Sequence, residues 1–178
     1  MAERLPDRIL LEDRILPWFA RESSLQRLVW VGCDAYTAAY PASFAHKADF
    51  ITLDVDPSKS PFGGPRHVVG SVLELTRHVP GSVDAILMNG VLGFGVDSPR
   101  LAELSLLSCR LALRPGGVLL LGWNDVPGFR PLSPHQSRVL ASMERVSDGP
   151  LPLGVERVEY SLDGLAWVHV YELFRRAA

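Results

Sequence analysis

Two positions near the start of the chain, Gly32 and Asp54, have the types and spacing of a nucleoside-binding pair. Gly32 ends the apolar run LVWVG, where a residue without a side chain lets the backbone turn and approach a ligand. Asp54 follows 22 positions later, in the acidic end of DFITLDVD, close to the spacing at which a carboxylate meets a ribose hydroxyl. Each residue alone has a simpler explanation, as a turn glycine or a solvated cap. Together they indicate a nucleoside site.

Further small and polar residues follow the next two apolar runs. Ser71 and Val72 come directly after RHVVG, where an adenine could lie between an apolar side chain and a polar contact. Ser71 can also cap the next helix, with Glu74 completing a capping box, and the two roles are compatible. Asn89 and Gly90 end VDAILMNG and predict a loop that passes close to a ligand or to neighbouring backbone.

The order of the elements brings these residues to one edge of a sheet. Strand-length apolar runs alternate with helical segments five times, which favours a parallel sheet with right-handed crossovers and helices on both faces. GVERVEYSL and LAWVHVYELF, joined by Asp163-Gly164, predict a terminal antiparallel hairpin. The predicted fold class is α/β, a Rossmann-like three-layer sandwich with a mainly parallel seven-stranded sheet and a C-terminal antiparallel hairpin. Such sheets bind ligands at the carboxyl ends of their strands.

The segments between the strands predict helices and one sharp turn. LRPGG predicts a turn that leads into the strand VLLLGW. The predicted helices lie at about 11–19 with a break near Pro17, at 37–45 with a break at Pro41, and at 71–79, 98–113 and 134–146.

The loop after Gly32 argues against a dinucleotide. A pyrophosphate needs further glycines for close approach and no negative charge nearby. Asp34 and Tyr36 stand in those glycine positions, so the first would repel a pyrophosphate and the second would crowd it. An anion at Asp34 favours a ligand that carries an ammonium and a sulfonium instead.

At this point the motifs resemble the class I S-adenosylmethionine-dependent methyltransferases over roughly Leu28 to Phe174. LVWVGCDAYT is similar to the family's first motif, TLDVDP to the acidic end of its second strand, and VDAILMNGVLGFG to its fourth-strand motif. LRPGG matches the turn into its fifth strand, and the terminal strand pair matches its closing hairpin. The runs VGCD-x-YT, NGV-x-G-x-G and GWND look like a small bacterial branch with a rebuilt first glycine loop.

The first motif departs from the family at three positions. The family usually has an acid where Trp30 stands, and glycines where Asp34 and Tyr36 stand. The lost acid would be a partner for the ammonium of the methionine moiety, and Asp34 could replace it from a few residues further on. The alternative is a non-catalytic Rossmann-like binding or scaffold module that has lost the usual cofactor loop.

The resemblance implies a methyltransferase that uses S-adenosyl-L-methionine and acts on a small-molecule or glycan-type acceptor. It places Asp54 on the adenosine ribose. The residues expected to bind the cofactor are Gly32, Cys33, Asp34, Tyr36, Asp54, Ser71, Val72, Asn89 and Gly90. Candidates for a general base are Asp34, Asp125, His78 and His135, each of which has a simpler explanation as a cap, turn or surface residue. A lid would come from residues 1–27, 90–99 or 125–134, or from a dimer partner.

Composition limits the other classes of function. The 178 residues suit a single methyltransferase-like domain, with 1–27 as an N-terminal helical extension and 28–178 as the Rossmann-like core. A net charge of −2 gives no basic field for nucleic acid or an anionic membrane. No run of about 18 apolar residues predicts a membrane span, and the N-terminus lacks the apolar centre of a signal peptide. Cys33 and Cys109 make neither a disulfide framework nor a metal site. We expect a cytoplasmic protein, with a homodimer as one option.

Overall fold

The computed structural model describes residues 4–46 and 48–177, and these contain one eight-stranded sheet. The strands are β1 (Arg27–Val31), β2 (Asp49–Asp54), β3 (His67–Val69), β4 (Val83–Asn89), β5 (Leu113–Asn124), β6 (Glu144–Arg145), β7 (Val155–Leu162) and β8 (Leu165–Arg175). Their order is β3-β2-β1-β4-β5-β8, and both β6 and β7 pair with the far edge of β8. Strands β1 to β5 pair in parallel, whereas β8 is antiparallel to β5 and to β7. The mainly parallel sheet with a closing antiparallel hairpin is confirmed, and the two-residue β6 is the one strand beyond the seven expected.

Helices cover both faces of this sheet. On one face, α1 (Pro6–Leu10) and α2 (Leu16–Arg21) are joined by a π turn over Leu11–Ile15. The π turn ends two residues before Pro17, whose nitrogen has no hydrogen to donate within an α-helix, so the expected break takes the form of a change of helix type at Leu16. On the other face lie α3 (Leu75–His78), α4 (Pro99–Ala112) and α5 (Arg138–Ala141). Among the described residues, no helix is both long enough and apolar enough to cross a bilayer.

The central strand β1 is buried from both sides because its side chains alternate between two apolar layers. Val29 and Val31 belong to the layer on the α3–α5 side, whereas Leu28 and Trp30 belong to the layer on the α1–α2 side. A strand covered on both faces has a continuous apolar sequence, and the LVWV run is of that kind. The carboxyl end of β1 is therefore held in place by packing on both faces of the sheet.

Of the predicted helices, one is absent from the structure and two are shorter than the sequence predicts. Residues 37–45 hold no α-helix, because the chain forms the 3₁₀ turns Ala35–Thr37 and Tyr40–Phe44, and Pro41 removes a donor from the middle of the segment. Residues 71–79 form the 3₁₀ turn Val72–Glu74 followed by α3, and residues 134–146 hold the 3₁₀ turn Pro134–Gln136, α5 and β6. The prediction of continuous helices was wrong at these places.

The LRPGG segment is the first part of β5 and not a turn before it. The pairing of β5 with β4 shifts register between Val83 and Ala85, so the segment bulges without leaving the sheet. Gly116 has a φ of +75°, and its N–H donates to the Arg176 carbonyl at 2.9 Å. The Arg176 N–H in turn donates to the Gly117 carbonyl at 2.8 Å. These two hydrogen bonds tie the residue that follows β8 to the bulge.

Candidate functional site

A cavity of about 690 Å³ opens at the carboxyl ends of β1, β2 and β4. Its volume is in the range of small-molecule pockets, and it lies at the sheet edge where doubly wound sheets bind ligands. The wall includes every residue that the sequence analysis expects to bind a cofactor, namely Gly32, Cys33, Asp34, Tyr36, Asp54, Ser71, Val72, Asn89 and Gly90. Further wall residues come from α1 and from the β7–β8 hairpin.

Asp54 is held at the end of β2 by two backbone donors. Its Oδ2 accepts a hydrogen bond from the Cys33 N–H at 2.6 Å, and its Oδ1 accepts one from the Asp56 N–H at 2.8 Å. Each carboxylate oxygen keeps a further lone pair, so the group can still accept hydrogen bonds from two vicinal hydroxyls. Asp56 is exposed and serves differently, because its Oδ1 accepts from the Ser58 N–H at 2.8 Å and caps the next 3₁₀ turn.

Gly32 lets the loop after β1 pass close to the loop after β4. Its φ is +88°, in the region that favours glycine, and a Cβ at this position would lie 3.4 Å from Val91 Cγ2. The Gly32 N–H donates to the Leu53 carbonyl at 2.9 Å, which extends the β1–β2 pairing up to the loop. The two strand ends that bear Gly32 and Asp54 are thus locked side by side.

Trp30 supports this loop from the α1–α2 side of the sheet. The side chain is 1% exposed and packs edge-on against Tyr40, with ring centroids 5.0 Å apart. Its indole N–H donates to the Gly32 carbonyl. The methyltransferase family usually has an acid at this position. In this chain the position holds a buried, uncharged aromatic side chain, which cannot form an ion pair with a cationic ligand.

Asp34 lines the cavity, but its carboxylate already has partners. Its Oδ1 accepts from the Ala35 N–H at 2.6 Å, and its Oδ2 accepts from the Lys59 ammonium at 3.1 Å. These two hydrogen bonds, the first more than the second, hold the pKa of the Asp34 carboxyl below its usual range. Asp34 also forms a capping box with Thr37 at the start of the short 3₁₀ turn. Lys59 therefore offsets the negative charge that the sequence places in this loop.

Ser71 lies at the cavity wall and also caps a turn. Its Oγ accepts from the Leu73 N–H at 3.2 Å, so the predicted capping role is confirmed. The predicted partner Glu74 does not complete a capping box, because its Oε1 accepts from the Arg77 guanidinium at 3.2 Å. The cap therefore consists of the Ser71 side chain alone, without the reciprocal hydrogen bond of a capping box. The Ser71 side chain also remains part of the cavity wall.

A buried polar cluster around His169 joins the ends of β4 and β5 to the middle of β8. The His169 Nε2 lies 2.9 Å from Asn89 Oδ1, and its Nδ1 lies 2.8 Å from Asn124 Oδ1. Burial lowers the pKa of His169 to about 4, so the ring is neutral at pH 7 and carries one N–H. That single N–H can donate to only one of the two asparagine oxygens, so the other contact requires that asparagine's amide to be turned, with its N–H₂ donating to the remaining ring nitrogen. Gly122 makes room for the cluster, since a Cβ there would overlap Asn89 Oδ1.

Aromatic side chains border the cavity where a lid was expected. The Phe94 ring, half exposed, stacks on Phe129 with centroids 5.2 Å apart, and Phe129 lies 5.0 Å from the Trp167 ring. These rings come from the segments 90–99 and 125–134 and from β8. Two of the three segments named as lid sources therefore meet at this side of the cavity, and Leu5, Asp7 and Arg8 from the third, the N-terminal segment, line the cavity as well.

Three of the four candidate bases lie outside the cavity wall. Asp125 is ion-paired with Arg130 and, at 2.8 Å, with Arg157. His135 is exposed in a 3₁₀ turn, and His78 ends α3. We do not retain these three as candidate bases, and only Asp34 stays beside the cavity. In the part of the chain that the structure describes, no three His, Cys, Asp or Glu residues could hold a metal ion.

Asp7 and Arg8 belong to the site although the sequence analysis did not single them out. The Arg8 guanidinium lies over the Tyr36 ring, 3.8 Å from its centroid, and both side chains line the cavity. The Tyr171 hydroxyl on β8 donates to the Asp7 carbonyl at 3.2 Å, which fixes the start of α1 against the sheet. No local pattern in the sequence marks these two residues, because long-range folding brings α1 over the cavity.

Comparison with solved structures identifies the fold. The N-methyltransferase NodS from Bradyrhizobium japonicum WM9 superposes with a TM-score of 0.65 at 16% identity, over 98% of this chain and 100% of that chain. Its complex with S-adenosyl-L-homocysteine gives 0.64 at 17% identity, over 99% and 94%. The 1,6-didemethyltoxoflavin-N1-methyltransferase from Burkholderia thailandensis, with 1,6-didemethyltoxoflavin and S-adenosylhomocysteine bound, gives 0.63 at 18% identity, over 97% and 80%. No protein-family model matches the chain, and no curated protein matches it. At these identities the likeness shows the fold alone, which is that of S-adenosylmethionine-dependent methyltransferases.

Proposed function

We propose that this chain binds S-adenosylmethionine in the cavity and transfers its methyl group to a small-molecule or glycan-type acceptor. One observation carries the proposal: in a methyltransferase fold, Asp54 stands at the carboxyl end of β2, held by two backbone donors with lone pairs to spare. The two similar methyltransferases described above have S-adenosylhomocysteine bound in crystal structures, and one of them also holds a small-molecule substrate.

The order of the strands suggests how the cofactor lies along the cavity. Asp54 on β2 would accept hydrogen bonds from the ribose, with the adenine towards Ser71 and Val72 after β3. The methionine moiety would then cross the Gly32 loop towards Asn89 and Gly90 after β4. The remaining wall, at β5 and the β7–β8 hairpin, would be left for the acceptor.

The chain's own contribution to the reaction is chiefly positioning and exclusion of water. When bound, the cofactor supplies an electrophilic methyl group on its sulfonium. The aromatic side chains Phe94 and Trp167 would cover the acceptor side of the cavity. His169 is not a base in this scheme, because both ring nitrogens are engaged and burial lowers its pKa to about 4. It would instead hold Asn89 and Asn124 in fixed orientations.

Calorimetry with S-adenosylmethionine and S-adenosylhomocysteine tests the proposal. We expect both to bind to the folded protein, because the cavity and Asp54 are already formed. The scaffold alternative has one observation in its favour, the Lys59 ammonium paired with Asp34 at the cavity, since a fixed cation there opposes a cationic ligand. If neither compound binds at millimolar concentration to folded protein, the enzyme proposal fails and the scaffold alternative is the one that is left.

Substitution of Asp54 should weaken cofactor binding strongly. Hydrogen bonds to a charged acceptor contribute about 1.5–3 kcal/mol, so Asp54→Ala is expected to weaken S-adenosylhomocysteine binding roughly ten- to a hundredfold. Calorimetry measures the loss, and the melting temperature shows whether the variant is folded. Asp56→Ala is the matched control, because this exposed carboxylate caps a turn, and its affinity should stay close to that of the parent. A folded Asp54→Ala protein with parental affinity contradicts the assignment. A large loss of affinity in Asp56→Ala would show instead that Asp56 is the residue that contacts the ribose.

A further inference from the structure

The amino-acid end of S-adenosylmethionine carries two charged groups, an ammonium and a carboxylate. Neither group finds a free side chain of opposite charge in the Gly32 loop. Trp30 is buried and uncharged at the position of the usual acid. Asp34 is occupied by Lys59 and by the Ala35 N–H. A desolvated ammonium without a counter-charge is costly, so another group should receive it.

Asp7 is a carboxylate in the cavity wall with one unpaired oxygen, although the backbone N–H groups of Asp7 and Arg8 interact with the carboxylate. Its Oδ1 is buried, and no described residue donates a hydrogen bond to it. A buried acceptor left in this state costs free energy unless a ligand satisfies it. Tyr171, itself 0% exposed, holds the Asp7 backbone through its hydroxyl, so the carboxylate is anchored to the sheet.

Arg8 places the opposite charge beside it. The guanidinium lies against the Tyr36 ring. This contact uses the face of the guanidinium, so its N–H groups can still donate hydrogen bonds in the guanidinium plane. Tyr36 belongs to the loop after β1, directly beyond Gly32 and Asp34. The two neighbouring residues of α1 thus present an anion and a cation to the same part of the cavity, over the loop that the methionine moiety would cross.

We propose that Asp7 and Arg8 form the binding site for the amino-acid end of the cofactor, in which Asp7 accepts from the ammonium and Arg8 donates to the carboxylate. The inference rests on the proposed function. It gives the N-terminal segment a direct role in binding and explains how the chain dispenses with an acid at Trp30. Burial raises the pKa of the Asp7 carboxyl by more than the nearby backbone N–H groups and the Arg8 charge lower it.

The experiment compares two probes that share the nucleoside and differ in the amino-acid end. S-adenosylhomocysteine carries the ammonium and the carboxylate, whereas 5′-methylthioadenosine carries neither. Calorimetry of the full chain should give an affinity for S-adenosylhomocysteine at least tenfold tighter than for 5′-methylthioadenosine. Asp7→Asn should weaken binding of S-adenosylhomocysteine roughly ten- to a hundredfold and change that of 5′-methylthioadenosine less than twofold.

The substitutions at Arg8 and the controls use the same helical segment. Arg8→Gln should weaken S-adenosylhomocysteine in the same selective way, and Arg8→Lys should restore part of the loss because it restores the charge. Asp13→Asn and Arg14→Gln are matched controls, since both side chains are exposed and neither lines the cavity. Both controls should bind the two probes like the parent.

The outcomes separate this inference from the proposed function. A parent protein that binds neither probe overturns both. A parent that binds both probes with equal affinity, or an Asp7→Asn protein that keeps parental affinity for S-adenosylhomocysteine, overturns the Asp7–Arg8 site and leaves the proposed function standing. Equal weakening of both probes also overturns it, because the residue would then act on the whole cavity. If Asp7→Asn does not fold, the parental preference between the probes and the Arg8 pair decide the question.

Discussion

Trp30→Asp, which restores the acid typical of the methyltransferase family, should unfold the protein or lower its melting temperature by at least about 10 °C. Trp30 is 1% exposed, and removing a large buried aromatic costs about 3–5 kcal/mol before any charge is considered. The new carboxylate would be buried without a partner, which adds several kcal/mol. Total stability is about 5–15 kcal/mol for a typical domain, and 1 kcal/mol shifts the melting temperature by about 2–4 °C at this chain length. Thermal unfolding followed by circular dichroism measures the change.

Trp30→Phe is the control for this prediction. It keeps an aromatic ring against Tyr40 and removes the indole N–H that donates to the Gly32 carbonyl. A cost of about 1–2 kcal/mol is expected, so the variant should fold and melt a few degrees below the parent. A Trp30→Asp protein as stable as the parent would show instead that the position is open to solvent or to the ligand, as in the family.

Acidification should destabilise the protein through His169. In the unfolded chain a histidine takes up a proton near its ordinary pKa of 6.5, whereas the buried His169 stays neutral down to a pKa of about 4. The unfolded state therefore binds more protons between these values, and stability falls as the pH is lowered through this window. The contribution of neutral His169 to the free energy of unfolding is fully present above pH 6.5. Near pH 4 the free energy of unfolding is lower by about 3 kcal/mol because of this residue. Urea unfolding at a series of pH values measures it.

His169→Gln separates this effect from that of other groups. Glutamine can bridge Asn89 and Asn124 through its amide but does not titrate, and all other titrating groups stay the same. The difference in unfolding free energy between parent and variant should shrink or reverse as the pH falls from 6.5 to 4. Two curves that run parallel through this window would mean that His169 is not kept neutral by the fold.

The strands could be predicted from the sequence, and several helices could not. Apolar runs such as LVWV and DFITL are buried on both faces, and the glycines and acids that follow them mark where the strands end. The segment 37–45 has the composition of a helix, but Pro41 and packing of Tyr40 and Phe44 into the core leave only 3₁₀ turns. The end of α4 and the bulge in LRPGG depend on contacts with Arg176, which follows them in the chain by 66 positions from Arg110 and by 60 from Gly116.

The residues of the candidate site also fall into those that could be predicted from the sequence and those that could not. Residues that follow strands β1 to β4 could be assigned to the cavity, because parallel strands present their carboxyl ends at one edge. Asp125 was named as a candidate base, but it pairs with Arg130 and Arg157, and its neighbour Asn124 is the residue that lines the cavity. His169, Asp7 and Arg8 escaped the sequence analysis because the hairpin and α1 reach the cavity through tertiary packing, which no local pattern records.

The position of β8 has a consequence for how the chain is made. It is the last described strand in chain order, yet it lies inside the sheet, between β5 and the pair β6 and β7. As the chain leaves the ribosome, β5 keeps an unpaired edge, and β6 and β7 have no partner, until residues 165–175 have emerged. During that interval the exposed N–H and C=O groups of β5 could pair with a strand of another nascent chain. We expect the nascent protein to depend on chaperones up to the synthesis of β8, and to become protease-resistant only after it.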